Sequence, residues 1–223
     1  MKHLARFLVL VLCFGTAHPS EGCTIVMVSQ GKIVLAGNKE DWKNPLTKIW
    51  FISASSGKHG RVRVGFDDMY AQGGMNDRGL FIDANALSFT GWQPVEGKPT
   101  FEGDLLDTIL AECATVEEAI AFCSRYNIPG PARARFPIAD RTGASMVVEY
   151  GQGQVQYVRK TGAYQIATNF VITNVKGENY PCTRYRIVDQ MLKKAADISL
   201  DLTVRAKDSR GRGRMSSLSS AVL

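Results

Sequence analysis

Histidine is scarce in this chain of 223 residues: there are three, His3, His18 and His59. The sequence also lacks the C-x-x-C and H-E-x-x-H spacings that are typical of zinc ligands. We therefore expect no metal and no cofactor. If the N-terminal segment is removed, a catalytic pair with histidine would have to use His59. That residue lies in a Ser- and Gly-rich loop sequence, which favours an exposed loop histidine over a catalytic base.

Long apolar runs are missing too, since no stretch of eighteen apolar residues occurs that could span a membrane as a helix. The formal net charge of +6 is concentrated at the two ends. Of the 27 basic residues, two precede position 23 and five follow position 202, which leaves 20 basic against 19 acidic residues between them. A body of balanced charge argues against nucleic acid as a partner.

The first 22 residues have the pattern of a secretory signal peptide. Basic residues precede an unbroken apolar run at 7–14. Small residues, Ser20 and Gly22, then occupy the −3 and −1 positions of a cut before Cys23. A cut after Ala17 is the alternative. We expect a protein that is secreted or periplasmic, with no membrane attachment after signal removal.

Short strands with tight turns precede and follow a pair of helices. The predicted strands are 24–29, 32–36, 49–54, 61–66, 70–75, 80–87, 136–139, 145–150, 154–159 and 164–168. The predicted helices are 103–113, 116–126 and 184–196. This order favours an α+β fold in which helices cover antiparallel sheets. We expect one domain over 23–202 and a basic, Ser-, Arg- and Gly-rich disordered tail over 203–223.

Cys23 gains a free α-amino group if the signal peptide is cut directly before it. An α-amine has a pKa of about 7.7–8.0 and a cysteine thiol of about 8.5, so both titrate near neutral pH. The amine can accept the thiol proton, and one residue then supplies both nucleophile and base. The alternative is that Cys23 is a small buried residue at the start of a strand.

Several segments together resemble the choloylglycine hydrolase and penicillin V acylase family, the linear amide C–N hydrolases of the N-terminal-nucleophile superfamily. The segments are Cys23-Thr24, Gly37-Asn38-Lys39-Glu40-Asp41-Trp42, Met75-Asn76-Asp77-Arg78-Gly79-Leu80, Thr168-Asn169 and Pro181-Cys182-Thr183-Arg184-Tyr185. The resemblance covers residues 23 to about 195. It implies a four-layer αββα fold with antiparallel sheets, incomplete at the C-terminus in this chain.

The resemblance also implies roles for four residues. Cys23 would be the nucleophile, and Asp41 would hold and orient its α-amine. Asn169 would face the developing oxyanion with its side-chain amide, aided by backbone N–H groups. Arg184 would lie near the nucleophile, where a fixed positive charge favours the thiolate.

The chain departs from the family pattern at several positions. The family's arginine after the glycine is replaced by Asn38, followed by Lys39, and both are candidates for substrate binding. The second oxyanion residue falls on Ala86 by strict count. Asn85, one position earlier, is the alternative candidate, although strand alternation points it to the opposite face. The segment between Asn169 and Arg184 is shorter than in relatives that use it for tetramer assembly. We therefore do not expect that tetramer, and another homo-oligomeric state remains an alternative.

The sequence thus predicts an exported enzyme that hydrolyses linear, non-peptide amides. Its partner would be a small-molecule N-acyl amide, such as an acylated amine, an acyl-homoserine lactone, penicillin V or a conjugated bile salt. The Gly37–Asp41 variant looks closer to the isopenicillin N acyltransferase and carcinine hydrolase side of the family, so acyl transfer is the alternative activity. A second alternative is an inactive, truncated member that acts as an exported binding module.

Overall fold

In the computed structural model, the described residues are 22–197, 199 and 201–203. The predicted signal peptide and tail lie outside them, apart from Gly22 and Thr203. The strands are β1 (Thr24–Gln30), β2 (Ile33–Lys39), β3 (Lys48–Ile52), β4 (Arg61–Gly65), β5 (Ala71–Asn76), β6 (Phe81–Asp83), β7 (Asn85–Ala86), β8 (Ala134–Ala139), β9 (Ser145–Gly151), β10 (Gln154–Arg159) and β11 (Tyr164–Ala167). The helices are α1 (Leu105–Glu112), α2 (Val116–Ser124) and α3 (Thr183–Lys194), with 3₁₀ turns at Gly130–Ala132 and Ile172–Asn174.

The strands form two antiparallel sheets. A small sheet has the order β11-β1-β2, and a large sheet has the order β10-β9-β8-β6-β5-β4-β3, with the short β7 also paired to β8. The predicted strand 80–87 is divided into β6 and β7 in the same register against β8. The interruption lies where the Asp83 carboxylate accepts the N–H of Ala84. The other predicted strands and the three helices are confirmed within a few residues.

Three apolar clusters stack these elements into four layers. Helices α1 and α2 pack on one face of the large sheet, and α3 packs on the outer face of the small sheet. Between the sheets, Ile25 and Met27 of β1 meet Phe81 and Val147 of the large sheet. Because side chains alternate along a strand, the intervening Val26 and Val28 face α3 instead. The predicted αββα architecture is therefore confirmed.

The local signals for turns and caps act as expected in two places. Thr115 caps α2 by accepting the N–H of Glu118. Asn76 accepts the N–H groups of Arg78 and Leu80 and donates to carbonyl groups of α1 and its C-cap, so it stabilises a turn. Within the described residues, none of the helices is both long enough and apolar enough to cross a bilayer.

Candidate active site

The hairpin of β1 and β2 brings Cys23 beside the residues that end β2. Thr24 pairs with Lys39, so the start of β1 lies next to Asn38 and Glu40. Cys23 is only 6% exposed, and its Sγ donates a hydrogen bond of 2.8 Å to Glu40 Oε1. Glu40, and not a histidine, is therefore the titratable side chain in direct contact with the thiol.

A buried amide links this carboxyl to a second one in the other sheet. Asn38 Nδ2 donates to Glu40 Oε2 at 3.1 Å and to Asp83 Oδ1 at 3.0 Å. All three side chains are buried, and Asp83 ends β6 of the large sheet. The thiol, the amide and the two carboxyls thus form one polar chain that spans the gap between the sheets.

The electrostatics of this chain favour neutral groups. Burial raises the pKa of the Cys23 thiol, the nearby Glu40 and Asp83 carboxyls raise that pKa further, and the Arg184 guanidinium opposes them. Burial also raises the pKa of Glu40 and, strongly, that of Asp83. Since Gly22 precedes Cys23 in this chain, the nitrogen of Cys23 is an amide and adds no charge. The thiol of the uncut chain is therefore protonated near neutral pH.

Arg184, in the first turn of α3, binds the backbone on both sides of the Gly22–Cys23 bond. Its Nη1 donates to the carbonyl oxygen of Gly22, and at 2.7 Å to that of Cys23. Its Nη2 donates to Asn169 Oδ1 at 3.0 Å, and Asn169 Nδ2 donates to the Ala86 carbonyl at 2.9 Å. The structure thus brings Cys23, Asn169 and Arg184 together, and Arg184 contacts the main-chain carbonyl of Cys23.

A buried ion pair holds the segment that carries Asn169. Arg135 Nε and Glu149 Oε2 lie 2.8 Å apart, and both side chains are completely buried. Arg135 Nη1 donates to the Thr168 carbonyl at 2.8 Å, and Glu149 Oε1 accepts the N–H of Thr173 at 2.8 Å. The pair therefore ties down the residues on both sides of Asn169.

A cavity of about 460 Å³ opens at the thiol. Its lining residues are Gly22, Cys23, Glu40, Asp41, Trp42, Phe66, Asp68, Gln72, Ala84, Ala86, Leu87, Ser88 and Asn169. A volume of this size suits a small-molecule ligand. The nucleophile candidate and Asn169 face the same space, as an acyl-transfer site requires.

The weaker predicted site residues are placed differently. Asn85 is completely buried and does not line the cavity, because strand alternation exposes its neighbours Ala84 and Ala86 there instead. Its assignment to the oxyanion site stays a prediction. Asn38 is also buried, and its amide bridges Glu40 and Asp83, so it is not placed to contact substrate. Lys39 does not line the cavity either.

Two groups of residues at the candidate site were not predicted from the sequence. The first is Glu40, which directly precedes the predicted Asp41. Asp41 also lines the cavity, and its role at an α-amine stays a prediction. The spacing could not tell which of two adjacent carboxyls reaches the thiol. Arg135 and Glu149 did carry a signal, since each is a charged residue within an otherwise apolar strand sequence.

Among the described residues, no group of three or more histidine, cysteine, aspartate or glutamate side chains could hold a metal ion.

Comparisons with known proteins agree on the fold. Residues 51–198 match the family model described as acyl-coenzyme A:6-aminopenicillanic acid acyl-transferase. The structure is similar to penicillin V acylase from Agrobacterium tumefaciens, with a TM-score of 0.51 at 20% identity over 78% of this chain and 57% of that one. A search of curated protein sequences finds no significant match.

Conjugated bile acid hydrolase from Clostridium perfringens is similar as well. The structure of one mutant of that enzyme gives a TM-score of 0.60 at 19% identity, over 86% of this chain and 81% of that one. The structure of a second variant gives a TM-score of 0.50 at 20% identity, over 75% and 57%. The chain thus spans little more than half the length of the penicillin V acylase chain. These likenesses establish an N-terminal-nucleophile hydrolase fold.

Proposed function

Because the chain belongs to the acyl-coenzyme A:6-aminopenicillanic acid acyl-transferase family, we propose that it is an exported hydrolase of linear, non-peptide amide bonds with Cys23 as its nucleophile. One observation carries the proposal: the Cys23 thiol and the Asn169 amide line the same cavity, and Arg184 binds the carbonyl of Cys23. Export is proposed from the sequence of residues 1–22, which precede the nucleophile.

The reaction begins once a cut before Cys23 has created the α-amine. The amine takes the thiol proton, directly or through a water molecule, while Sγ forms a bond to the amide carbonyl carbon. Asn169 Nδ2 donates one hydrogen to Ala86 and has a second for the oxyanion. The C–N bond then breaks, and the leaving amine takes the proton from the α-ammonium. Water hydrolyses the thioester and regenerates the thiol.

Glu40 sets a condition on this scheme. Its carboxyl accepts a hydrogen bond from the thiol, and a negative charge there raises the thiol pKa. Once the α-amine has taken the thiol proton, the resulting ammonium counters that charge and stabilises the thiolate. The proposal therefore links processing to activity, because the uncut chain holds its thiol protonated.

Substitution of Cys23 tests the nucleophile. Cys23→Ala, introduced into protein with residue 23 at its N-terminus, is expected to abolish amide turnover, and Cys23→Ser to reduce it strongly. Cys113→Ala is the matched control, since Cys113 is a buried thiol among the apolar residues under α1 and α2. Intact mass after incubation with N-acyl amides should show an acyl adduct on wild type and on Cys113→Ala, and none on Cys23→Ala. Full activity of Cys23→Ala would refute the proposal.

Acyl transfer is the second candidate, favoured by the description of the matching family model. The two activities share the acyl-enzyme and differ in the group that attacks it. Adding a primary amine to the assay would divert product from the free acid to a new amide if transfer operates.

An N-terminus of the mature protein at a residue other than Cys23 would instead support an inactive binding module.

A further inference from the structure

We propose that the cavity at Cys23 selects amides that carry a positive charge, such as a monoacylated diamine, over neutral and anionic amides. This inference rests on the proposed function and specifies its substrate class.

The ionisable side chains that line the cavity are acidic, apart from the Cys23 thiol itself. The Arg184 guanidinium does not line it, and its hydrogen bonds go to the Cys23 carbonyl and to Asn169. Glu40, Asp41 and Asp68 line the cavity, and no lysine, arginine or histidine is present among its described lining residues. The surplus is local, because residues 23–202 contain nearly equal numbers of basic and acidic side chains. A low-dielectric cleft lined by charge of one sign concentrates ligands of the opposite sign.

Aromatic rings complete a site for a cation. Trp42 and Phe66 line the same cavity as the carboxyls, and Trp42 is about half exposed. The face of an aromatic ring attracts an ammonium group, and tryptophan does so best. A wall that combines carboxylates with aromatic rings therefore offers an ammonium group both charge pairing and cation–π contact.

Asp68 is the carboxyl best suited to bind such a group. It is exposed at the cavity, whereas Glu40 is buried and engaged by Cys23 and Asn38. Asp68 Oδ1 accepts the N–H of Tyr70 at 2.9 Å, which orients the side chain, and an ionised carboxylate can accept several further hydrogen bonds. The anionic groups of penicillin V or a conjugated bile salt would meet like charge in this cavity.

Three substrates that share one acyl group test the inference. The amine parts would be ethylenediamine, propylamine and β-alanine, which are similar in length and leave a positive, a neutral and a negative end. At low salt we expect kcat/KM to fall about tenfold at each step from cation to neutral to anion. The differences should shrink as ionic strength rises. Equal values, or a preference for the anion, would overturn the inference.

Two neighbouring aspartates provide a matched pair of variants. Asp68→Asn should lower the ratio of kcat/KM for the cationic over the neutral amide about tenfold. Asp67→Asn should leave that ratio unchanged, because Asp67 accepts a hydrogen bond from Asn44 and does not line the cavity. An equal effect of both variants would contradict the role of Asp68.

Calorimetry separates this inference from the proposed function. If processed wild type turns over none of the three amides, binding to Cys23→Ala protein still tests the charge preference. Tighter binding of the monoacylated ethylenediamine than of the other two amides would support the inference without catalysis. Equal binding of all three would refute it.

Discussion

The two faces of the large sheet are buried in different ways. The face under α1 and α2 is covered by apolar side chains, among them Leu80, Ile109 and Val116. The face toward the small sheet holds an apolar patch, but it also buries Arg135 with Glu149, and Asp83 with Glu40. Apolar burial stabilises without regard to direction, whereas a buried charge needs a partner in good geometry. The layer with the buried ionisable groups is also the one that carries the candidate site.

The largest effect is expected from breaking the buried ion pair. Glu149→Gln leaves the Arg135 guanidinium buried without its counter-charge, and we expect a loss of about 3–5 kcal/mol in the free energy of unfolding. Urea unfolding monitored by circular dichroism measures it. A loss below about 1 kcal/mol would show that the layer tolerates the charge.

A double variant separates stability from positioning. Arg135→Met with Glu149→Leu removes both charges, and such replacements are often neutral or stabilising. The segment on either side of Asn169 would nevertheless lose the hydrogen bonds from Arg135 and to Glu149. We therefore expect a folded protein with reduced amide turnover, and full activity would contradict the positioning role.

An intermediate effect is expected from Asp83, and it should depend on pH. Because the pKa of Asp83 is raised by burial, the folded state binds its proton more tightly than the unfolded state. Below the ordinary aspartate pKa, Asp83 is protonated in both states and does not lower the free energy of unfolding. As pH rises above that value, the unfolded state loses the proton more readily, and the free energy of unfolding falls. Asp83→Asn can still accept from Ala84 and carries no charge. Its stability relative to wild type should rise between pH 4 and pH 8, and a constant difference would contradict the assignment.

A smaller effect is expected in the apolar layer. Ile109→Val removes one methylene group from a completely buried side chain of α1 and should cost about 1 kcal/mol, independent of pH. The difference in unfolding free energy from wild type should be the same at pH 4 and pH 8. A pH-dependent difference would show that the two layers are coupled.

The smallest effect is expected from an ion pair with the same chemistry at the surface. Arg159 and Glu117 form a bidentate pair, but both side chains are more than half exposed. Glu117→Gln should not change the unfolding free energy measurably, since solvent already screens the pair. A loss comparable to that of Glu149→Gln would mean that burial is not what distinguishes the two pairs.

The same contrast explains what could be predicted from the sequence. The strands and the helices follow from local periodicity and turn residues, and the four-layer order was implied by the family resemblance. The sequence of β1 is apolar throughout, and only the structure shows that Ile25 and Met27 face the large sheet while Val26 and Val28 face α3. Cys23, Asn169 and Arg184 were found through a resemblance of short segments, and the structure places them together.

The rest depends on contacts between residues far apart in the chain. Asn38 and Asp83 are 45 positions apart, and only the stacking of two sheets brings them into hydrogen-bond distance. Arg135 and Glu149 pair across neighbouring strands, and neither residue signals its partner in the sequence. Which of Glu40 and Asp41 reaches the thiol is set by the turn of the backbone at the end of β2, which no spacing rule resolves.

Arg184 couples the docking of α3 to the geometry of the candidate site. Helix α3 packs on the small sheet through Tyr185, Val188 and Leu192, while its first turn supplies the guanidinium bound to the carbonyl of Cys23. A local opening that lifts α3 would remove the charge that lowers the thiol pKa and the hydrogen-bond donor to Asn169, yet leave the large sheet intact. Inactivation is therefore expected at lower denaturant concentration than global unfolding, because the docking of α3 holds the site together.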